Sequence, residues 1–564
     1  ATQLHNYFLR EKLDIFEPFE PYLIYSNTIN NLPFYNVKTP YTELAYWGTL
    51  FAKREKEETN IKFLHTQNLS PSHNITVSYK RFGSAGQLAR ESTDNRTFAL
   101  YNNYIGKRYV MHAGYIFNSI KRAENGGMTD PTFFLDSLVE DTKELSYNLQ
   151  SADNHLKRNT IFLTHSYGIP IRLSKSDTLN NSGQGTTTYF GHSFEFSTYS
   201  KKYTDNIAQT DSIGRAFYNN NFYLSPTNSF DSIRVNNLEN RFFIRLQPWK
   251  SDAIISKLDG GLGLQHLSIY NFKPEYYIGG KSIKTHNNLY LYFGADGVYR
   301  NYFRWNALTK YNVSGYYQND LLIDINSTIY VPIKSDIIDF NARVFLENRQ
   351  PNWFNQQYYS NHHIWKNDFS KITETKLEGR LNLPKYKLSF FAGYALIDNP
   401  VYYNNYGYAA QHPDLVSILS LYAQKNFKFG FLHLENRVLY QMSSNNEIIP
   451  LPDFSANMRY YIQFELVKDV LTTQIGADIT YNTEFYAQAY NPSTGMFHNQ
   501  NDRKIGNYPY IDAFVNLQWK RASIFVKYIN AAEGWPSSDY FSAHNYIRSQ
   551  TNIKFGIHWP FYVK

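Results

Sequence analysis

The chain has 564 residues, with 56 Lys and Arg against 48 Asp and Glu, a net charge of +8 and a pI near 9.0; the charges are interspersed, so no basic stripe argues for nucleic acid as a partner. It has no cysteine, which excludes disulfides, thiolate-held metals and cysteine nucleophiles. A mean hydropathy of −0.51 and the lack of any apolar run of about 18 residues exclude a helical membrane protein, whereas the 50 Tyr and 41 Phe fit the aromatic girdles of a membrane β-barrel.

Residues 1–40 carry Pro18, Pro21, Pro33 and Pro40 and do not alternate, so they read as an irregular segment. Two placements are open: a partial plug, or a periplasmic tail packed against the base of the barrel. The chain begins at Ala1 without a basic and apolar leader, which suggests a mature numbering from which an export signal has been removed.

From Tyr41 onward a two-residue beat takes over and continues to Phe561, so 41–564 reads as one all-β domain. Ile323, Ile325, Ile329 and Val331 face away from Asp324 and Asn326. Ile338, Phe340, Ala342, Val344 and Leu346 oppose Asp339, Asn341, Arg343 and Glu347. Leu471, Thr473, Ile475, Ala477 and Ile479 are set against Thr472, Gln474 and Asp478. Ile511, Ala513, Val515, Leu517 and Trp519 oppose Asp512, Asn516 and Gln518, and the last strand sets Ile553, Phe555, Ile557 and Trp559 against Lys554 and His558. One face needs hydrocarbon and the other water, which predicts a transmembrane outer-membrane barrel.

Connection lengths test this, because such barrels alternate short periplasmic turns with long extracellular loops. Tight turns read at Pro71-Ser72, Gly106-Lys107, Ile333 to Ser335, Pro384 to Tyr386, Val467 to Asp469 and Lys520-Arg521. Long connections read at 83–95, 119–154, 199–231, 347–372, 397–413, 441–454, 482–507 and 531–549. Two places fit less well: Tyr299 to Tyr302 must be a tight turn, and 168–184 is long for the short-turn side. The expectation is an antiparallel up-and-down meander of about 22 strands, in a range of about 18 to 22, with both termini periplasmic.

Several short stretches in order, Thr39-Pro-Tyr-Thr-Glu-Leu, His65-Thr-Gln-Asn, Tyr79-Lys-Arg-Phe-Gly-Ser, Asp94-Asn-Arg, Tyr115-Ile-Phe-Asn, Glu124-Asn-Gly-Gly and Asn159-Thr-Ile-Phe-Leu, with Ser360-Asn-His-His-Ile-Trp365 later, resemble the putative porin family of Bacteroidota outer membranes. The resemblance implies an outer-membrane β-barrel. It implies neither a substrate nor an open channel. Read physically, Gly83 permits a turn after Lys80-Arg81, and Asp94, Asn95 and Arg96 suit turn-capping or salt-bridging.

The lumen face is predicted to carry Arg241, Arg245, Arg343, Arg459, Lys527 and Lys554 alongside Asp324, Asp339, Glu347, Glu465, Asp478 and Asp512. Facing lipid, a basic group at the bilayer midplane would cost about 2–4 kcal/mol, so the polar face is their place. Mixed signs suggest cross-strand pairing that stiffens the wall, while a ring of one sign would set selectivity. No catalytic arrangement, cofactor motif or metal site is recognisable. His362-His363 would point to opposite faces of a strand and converge only on a loop. Gly260-Gly261-Leu-Gly263 has no helix following it and reads as easing a bend or bulge. Asp136-Ser-Leu, Asp211-Ser-Ile and Asp231-Ser-Ile resemble a short O-glycosylation signal.

The leading expectation is passive passage of small polar solutes through the lumen of a non-enzymatic barrel. Its rival is a non-conducting barrel that grips a surface lipoprotein or another barrel, to which aromatic loops such as Tyr402 to Tyr406 and Phe217 to Tyr223 would contribute. A TonB-dependent receptor has a similar strand number but a plug of well over about a hundred residues, longer than residues 1–40. Outer-membrane lipid, including lipopolysaccharide, is the expected surrounding partner.

Overall fold

The computed structural model describes residues 5–562 except 11, 14, 171–186, 248–251, 273–282 and 334–335. The alternating stretches form one 22-stranded antiparallel sheet. Its strands are β1 (Tyr41–Leu50), β2 (Glu58–Ser70), β3 (His73–Ser84), β4 (Thr93–Ile105), β5 (Tyr109–Glu124), β6 (Ala152–Pro170), β7 (Thr187–Asn206), β8 (Asn228–Gln247), β9 (Lys257–Asn271), β10 (Ile283–Tyr299) and β11 (Phe303–Ser314). They continue with β12 (Leu321–Ile333), β13 (Asp336–Arg349), β14 (Ile372–Leu383), β15 (Leu388–Asp398), β16 (Val416–Phe429), β17 (Leu432–Ser443), β18 (Phe454–Val467), β19 (Leu471–Asn482), β20 (Tyr510–Trp519), β21 (Ala522–Ile529) and β22 (Asn552–Tyr562). β1 pairs with both β2 and β22, so the sheet closes and no strand edge is left unpaired.

An even strand number brings Tyr41 and Tyr562 to one end, opposite each other in the β1–β22 ladder. At that end the chain reverses in tight turns whose sharpness comes from left-handed residues: Arg300, Lys387, Gly430, Asp469 and Lys520 all have φ between 46 and 61°. Arg300 to Tyr302 is thus the tight turn that the alternation required. The turn at Ile333 to Ser335 and most of 168–184 fall outside the described residues.

At the other end the strands run further than polarity suggested. β5 reaches Glu124 and β7 reaches Asn206, and β7 and β8 have 20 residues each. A membrane crossing needs only about 9–11 residues, so these strands stand well clear of the hydrocarbon, where polar side chains on both faces mimic a loop in the sequence.

Outward positions are apolar over most of the wall and remain exposed: Leu44, Ile161, Phe242, Leu264, Leu291, Phe293, Ile325 and Val344 are examples. Exposed aromatics occur at the short turns, as at Tyr299, Tyr302, Tyr386, Phe429, Phe431, Trp519, Trp559 and Tyr562, and also along the wall and at the long-loop end, as at Tyr115, Phe230, Phe340 and Tyr440.

The lumen is not empty. Residues 5–40 form a strap of 3₁₀ turns (Tyr7–Leu9, Glu17–Tyr25 and Ile29–Asn31) that lies across the long-loop half and descends the inner wall to β1. Four long connections fold small hairpins against it or beside it: 357–359 with 364–366, 401–403 with 409–411, 489–491 with 496–498, and 541–543 with 546–547. One buried cluster joins Phe16, Phe19, Tyr22 and Leu23 of the strap to Phe354, Trp365, Tyr403 and Met496 of the hairpin loops and to inward Ile120, Leu156, Tyr199, Ile233, Val235, Leu267 and Ile269 of β5–β9. The expectation of water throughout the lumen therefore fails in this half. An inward row of aliphatic residues on β5–β9 needs an apolar partner, and the strap provides it.

Candidate functional site: the barrel lumen

All twelve charged residues assigned to the lumen fall on inward positions of their strands, since each shares a face with the paired polar positions across the ladder. Most are paired. Arg343 forks onto Asp324 at 2.8 and 2.9 Å and reaches Glu378 at 3.1 Å. Arg459 meets Asp478 at 2.7 Å, and Lys527 sits 2.9 Å from both Asp478 and Asp512, which links β18 through β21 in one alternating chain of charge. Lys554 bonds Glu58 at 2.7 Å, and Arg245 bonds Asp259 at 2.7 Å. Asp339 accepts from Asn382, Glu347 pairs with Arg349 at 3.2 Å, and Glu465 accepts from the Asp469 N–H at the short turn. Arg241 lies over the Tyr292 ring, 5.2 Å from its centre. No ring of one sign results from these pairs, and they tie neighbouring strands together.

The glycines of β9 do not mark a bulge, for the registers with β8 and β10 run through them unbroken. Gly261 and Gly263 face inward, and an added Cβ would strike Tyr292 and Tyr290. These tyrosines lie flat on the wall in the space a side chain would fill. Their hydroxyls donate to Asp259, at 2.8 Å, and to Glu239. Around them, near the short turns, a polar cavity of ≈280 Å³ is lined by His112, Arg241, Arg245, Lys257, Asp259 and Asp296, among others.

In the long-loop half the strap is held by buried polar contacts that the sequence did not announce. The Tyr7 hydroxyl donates to Glu374 at 2.5 Å, and Glu374 also takes Lys12 at 2.7 Å and Lys376 at 3.0 Å. Glu17 accepts from Asn355 at 2.7 Å and from the Tyr403 hydroxyl at 2.9 Å, and Glu20 accepts from the Leu13 N–H at 2.6 Å. Burial raises both strap carboxyls, and the negative charge of Glu17 helps push Glu20 up to about 8. Further along, Asn27 and Asn118 exchange two hydrogen bonds of 3.0 Å, Phe34 packs against Tyr101, His112 and Phe162, and the Val37 N–H reaches Asn68. A cavity of ≈390 Å³ opens between strap and loops, lined by residues that include Lys12, Glu17, Glu20, Arg349, Asn355 and Tyr403.

His362 and His363 lie in the connection between two short hairpin strands, and both imidazoles are engaged. His362 bonds Ser229 at 2.6 Å and the Asn221 carbonyl at 2.9 Å, and stacks on Tyr218 with 3.6 Å between ring centres. His363 contacts Ser493 at 3.2 Å and Asn491 at 3.3 Å. Burial lowers them to about 4 and about 3, so at neutral pH they are uncharged hydrogen-bonding wedges. Among the described residues no cluster of three His, Asp or Glu is arranged to hold a metal ion. The aromatic loops are divided between the two environments: Tyr218 and Tyr403 are buried, while Tyr223 and Tyr406 are exposed. The salt-bridging role for Asp94 is real, with Arg81 at 2.9 Å and Arg96 at 2.6 Å, on the outer face of the wall.

Solved structures with this architecture include the siderophore receptor PirA from Acinetobacter baumannii (10% identity, TM-score 0.62, covering 94% of this chain and 81% of that one), a mutant of the ferric enterobactin receptor PfeA from Pseudomonas aeruginosa in complex with enterobactin (11%, 0.61, 93% and 81%) and the FrpB iron transporter from Neisseria meningitidis (10%, 0.58, 93% and 83%). At such identities the likeness is one of fold. Comparison with curated proteins gave no match. A family model described as "Putative porin" matches residues 3–563, and the chain, an outer-membrane β-barrel, belongs to that family.

Proposed function

We propose that the protein passes small polar solutes across the outer membrane, without catalysis, through a lumen that is closed at rest by its own strap and inward loops. The observation that carries this reading is the mismatch between wall and filling. The wall is a paired, water-tolerant ladder of charge, whereas the filling is a strap held to wall and loops by packing, hydrogen bonds and ion pairs, with no cysteine to cross-link it. A barrel of about 22 strands encloses far more space than side chains fill, so displacing the strap frees a conduit. In this orientation the exposed aromatics at the short turns are the periplasmic interfacial belt, and the long loops face the exterior.

Planar-bilayer recording tests the reading. The full chain is expected to give rare, small openings, and Phe16→Ala/Phe19→Ala to give frequent, larger ones. If neither ever conducts, passage is wrong. A scaffold role is favoured by the packed long-loop end, and it would show as a stoichiometric partner in gently extracted material. Uptake of a bulky ligand, suggested by the names of the structural neighbours, would need the whole filling to move.

A further inference from the structure

The outer wall carries its cations in one place. Apart from Lys425 beside a short turn, every outward lysine or arginine of the described barrel strands lies on β3–β8, toward the long-loop end. Register makes them contiguous. One row across the strands runs Arg81, Arg96, Ser119, Lys157, Ser200 and Arg234; the next, nearer the loops, runs Gly83, Asp94, Lys121, His155, Lys202 and Ser232. Asp94 is taken by Arg81 and Arg96, and Asp153 pairs with Arg90 at 3.5 Å. Lys121, Lys157, Lys202 and Arg234 have no carboxylate within salt-bridge distance among the described residues, and all four are exposed. A shallow depression of ≈460 Å³ opens among Asp94, Lys121, Asp153, His155 and Lys202.

Two observations say what covers this patch. It lies on the surface that elsewhere meets hydrocarbon, and moving toward the short turns the next row is Tyr79, Phe98, Phe117, Asn159, Thr198, Asn236, mixed aromatic and uncharged polar, and the one after it is Val77, Leu100, Tyr115, Ile161, Phe196, Leu238, apolar throughout. A ligand that satisfies both must carry fixed negative charge directly above acyl chains. Unpaired cations near the bilayer midplane would be costly, but at the interface the cost falls to about 0–1 kcal/mol and becomes a gain beside anionic headgroups.

We propose that this face is a built-in site for phosphate-bearing membrane lipid, with the lysines and Arg234 on the phosphates, the uncharged polar Asn159, Thr198 and Asn236 at the glycerol or sugar level, and the acyl chains from the apolar row of Val77 to Leu238 downward. The site is independent of whether the lumen conducts. It places the family-like stretches around Arg81, Asp94 and Arg96 at one edge of a lipid-binding surface.

The test is native mass spectrometry of the full chain in zwitterionic detergent, titrated with lipid A. Wild type should retain lipid A adducts. Lys121→Gln/Lys157→Gln/Lys202→Gln/Arg234→Gln should lose them about tenfold or more, because each basic group near such a surface contributes a factor of about five. Lys121→Arg/Lys157→Arg/Lys202→Arg should retain them, and Lys425→Gln should change nothing. A heat-modifiability gel confirms folding of each variant, which these outward positions predict. Equal retention by the wild type and the four-site variant would overturn the proposal. Complete displacement by inorganic pyrophosphate would also overturn it, by showing a site for soluble anions.

Discussion

The two halves of the lumen differ in what they ask of the strands. Near the long loops, β5–β9 turn Ile120, Leu156, Ile233, Val235, Leu267 and Ile269 inward, and Phe16 and Phe19 of the strap lie fully buried among them. Near the short turns the same strands turn Arg241, Arg245 and Asp259 into a polar cavity. One wall is thus built for two contents: a packed apolar body above and water below. The difference shows that the seat of the strap is written into the barrel strands themselves, since the upper row would be unfavourable if left facing water.

Breaking the apolar body is expected to have the largest effect. Phe16→Ala/Phe19→Ala removes two fully buried rings, each worth about 3–5 kcal/mol in a packed interior, and should release the strap while the barrel persists. Limited proteolysis reads this as new cleavage near residues 10–35 with the strands intact, and unchanged cleavage would refute the packing account. Next comes Glu374→Gln, which leaves Lys12 and Lys376 without their shared, buried anion. A loss of about 3–5 kcal/mol in strap docking is expected by analogy with broken buried pairs, measured as faster hydrogen exchange at Tyr7 to Leu13.

pH sharpens the comparison from both sides. His362 and His363 have lowered values in the fold, so their contribution is complete above about 6.5 and is lost as pH falls toward 4 and 3, on the order of a few kcal/mol by pH 4. Glu20 is raised, so its contribution is complete below about 4.5 and is lost as pH rises through 8. Exchange protection of the hairpin 357–366 should therefore fall on acidification and that of the strap on alkalinisation. A flat profile at both places would contradict this. The smallest effect is expected in the ladder: Arg459→Gln breaks one pair of a redundant, half-exposed network and should cost about 1 kcal/mol or less, with at most a modest change in ion preference of any open state.

The barrel was legible because period two survives any tertiary context. Ile323 to Val331 and Ile511 to Trp519 show their faces directly, and connection lengths supply strand parity. The same period sets the charged positions on one shared face of their strands. The strap was not legible. Phe16, Phe19 and Tyr22 sit in a Pro-interrupted segment with no regular period, and their partners Ile233, Val235, Leu267 and Ile269 occupy the inward phase of strands whose outward phase is also largely apolar or uncharged, so two buried faces look like a weak version of one. A trace was present: Ile233-Arg-Val235 and Leu267-Ser-Ile269 place aliphatic residues in phase with Arg241 and Gly263, where a wet lumen calls for polarity. The outer basic patch is not visible in the sequence because Arg81, Lys121, Lys157, Lys202 and Arg234 are far apart along the chain and only the ladder register brings them into two rows.

If the strap is a closure that must move for solutes to pass, tying it to the wall must silence the barrel, and the absence of native cysteine allows a direct test. Asn27→Cys/Asn118→Cys places a thiol on strap and wall where the two asparagines exchange hydrogen bonds. Single-channel recording of this variant should show openings under reducing conditions and silence after oxidation, with openings restored by reductant. Identical conductance in the oxidised and reduced states would contradict the claim that the strap gates the barrel.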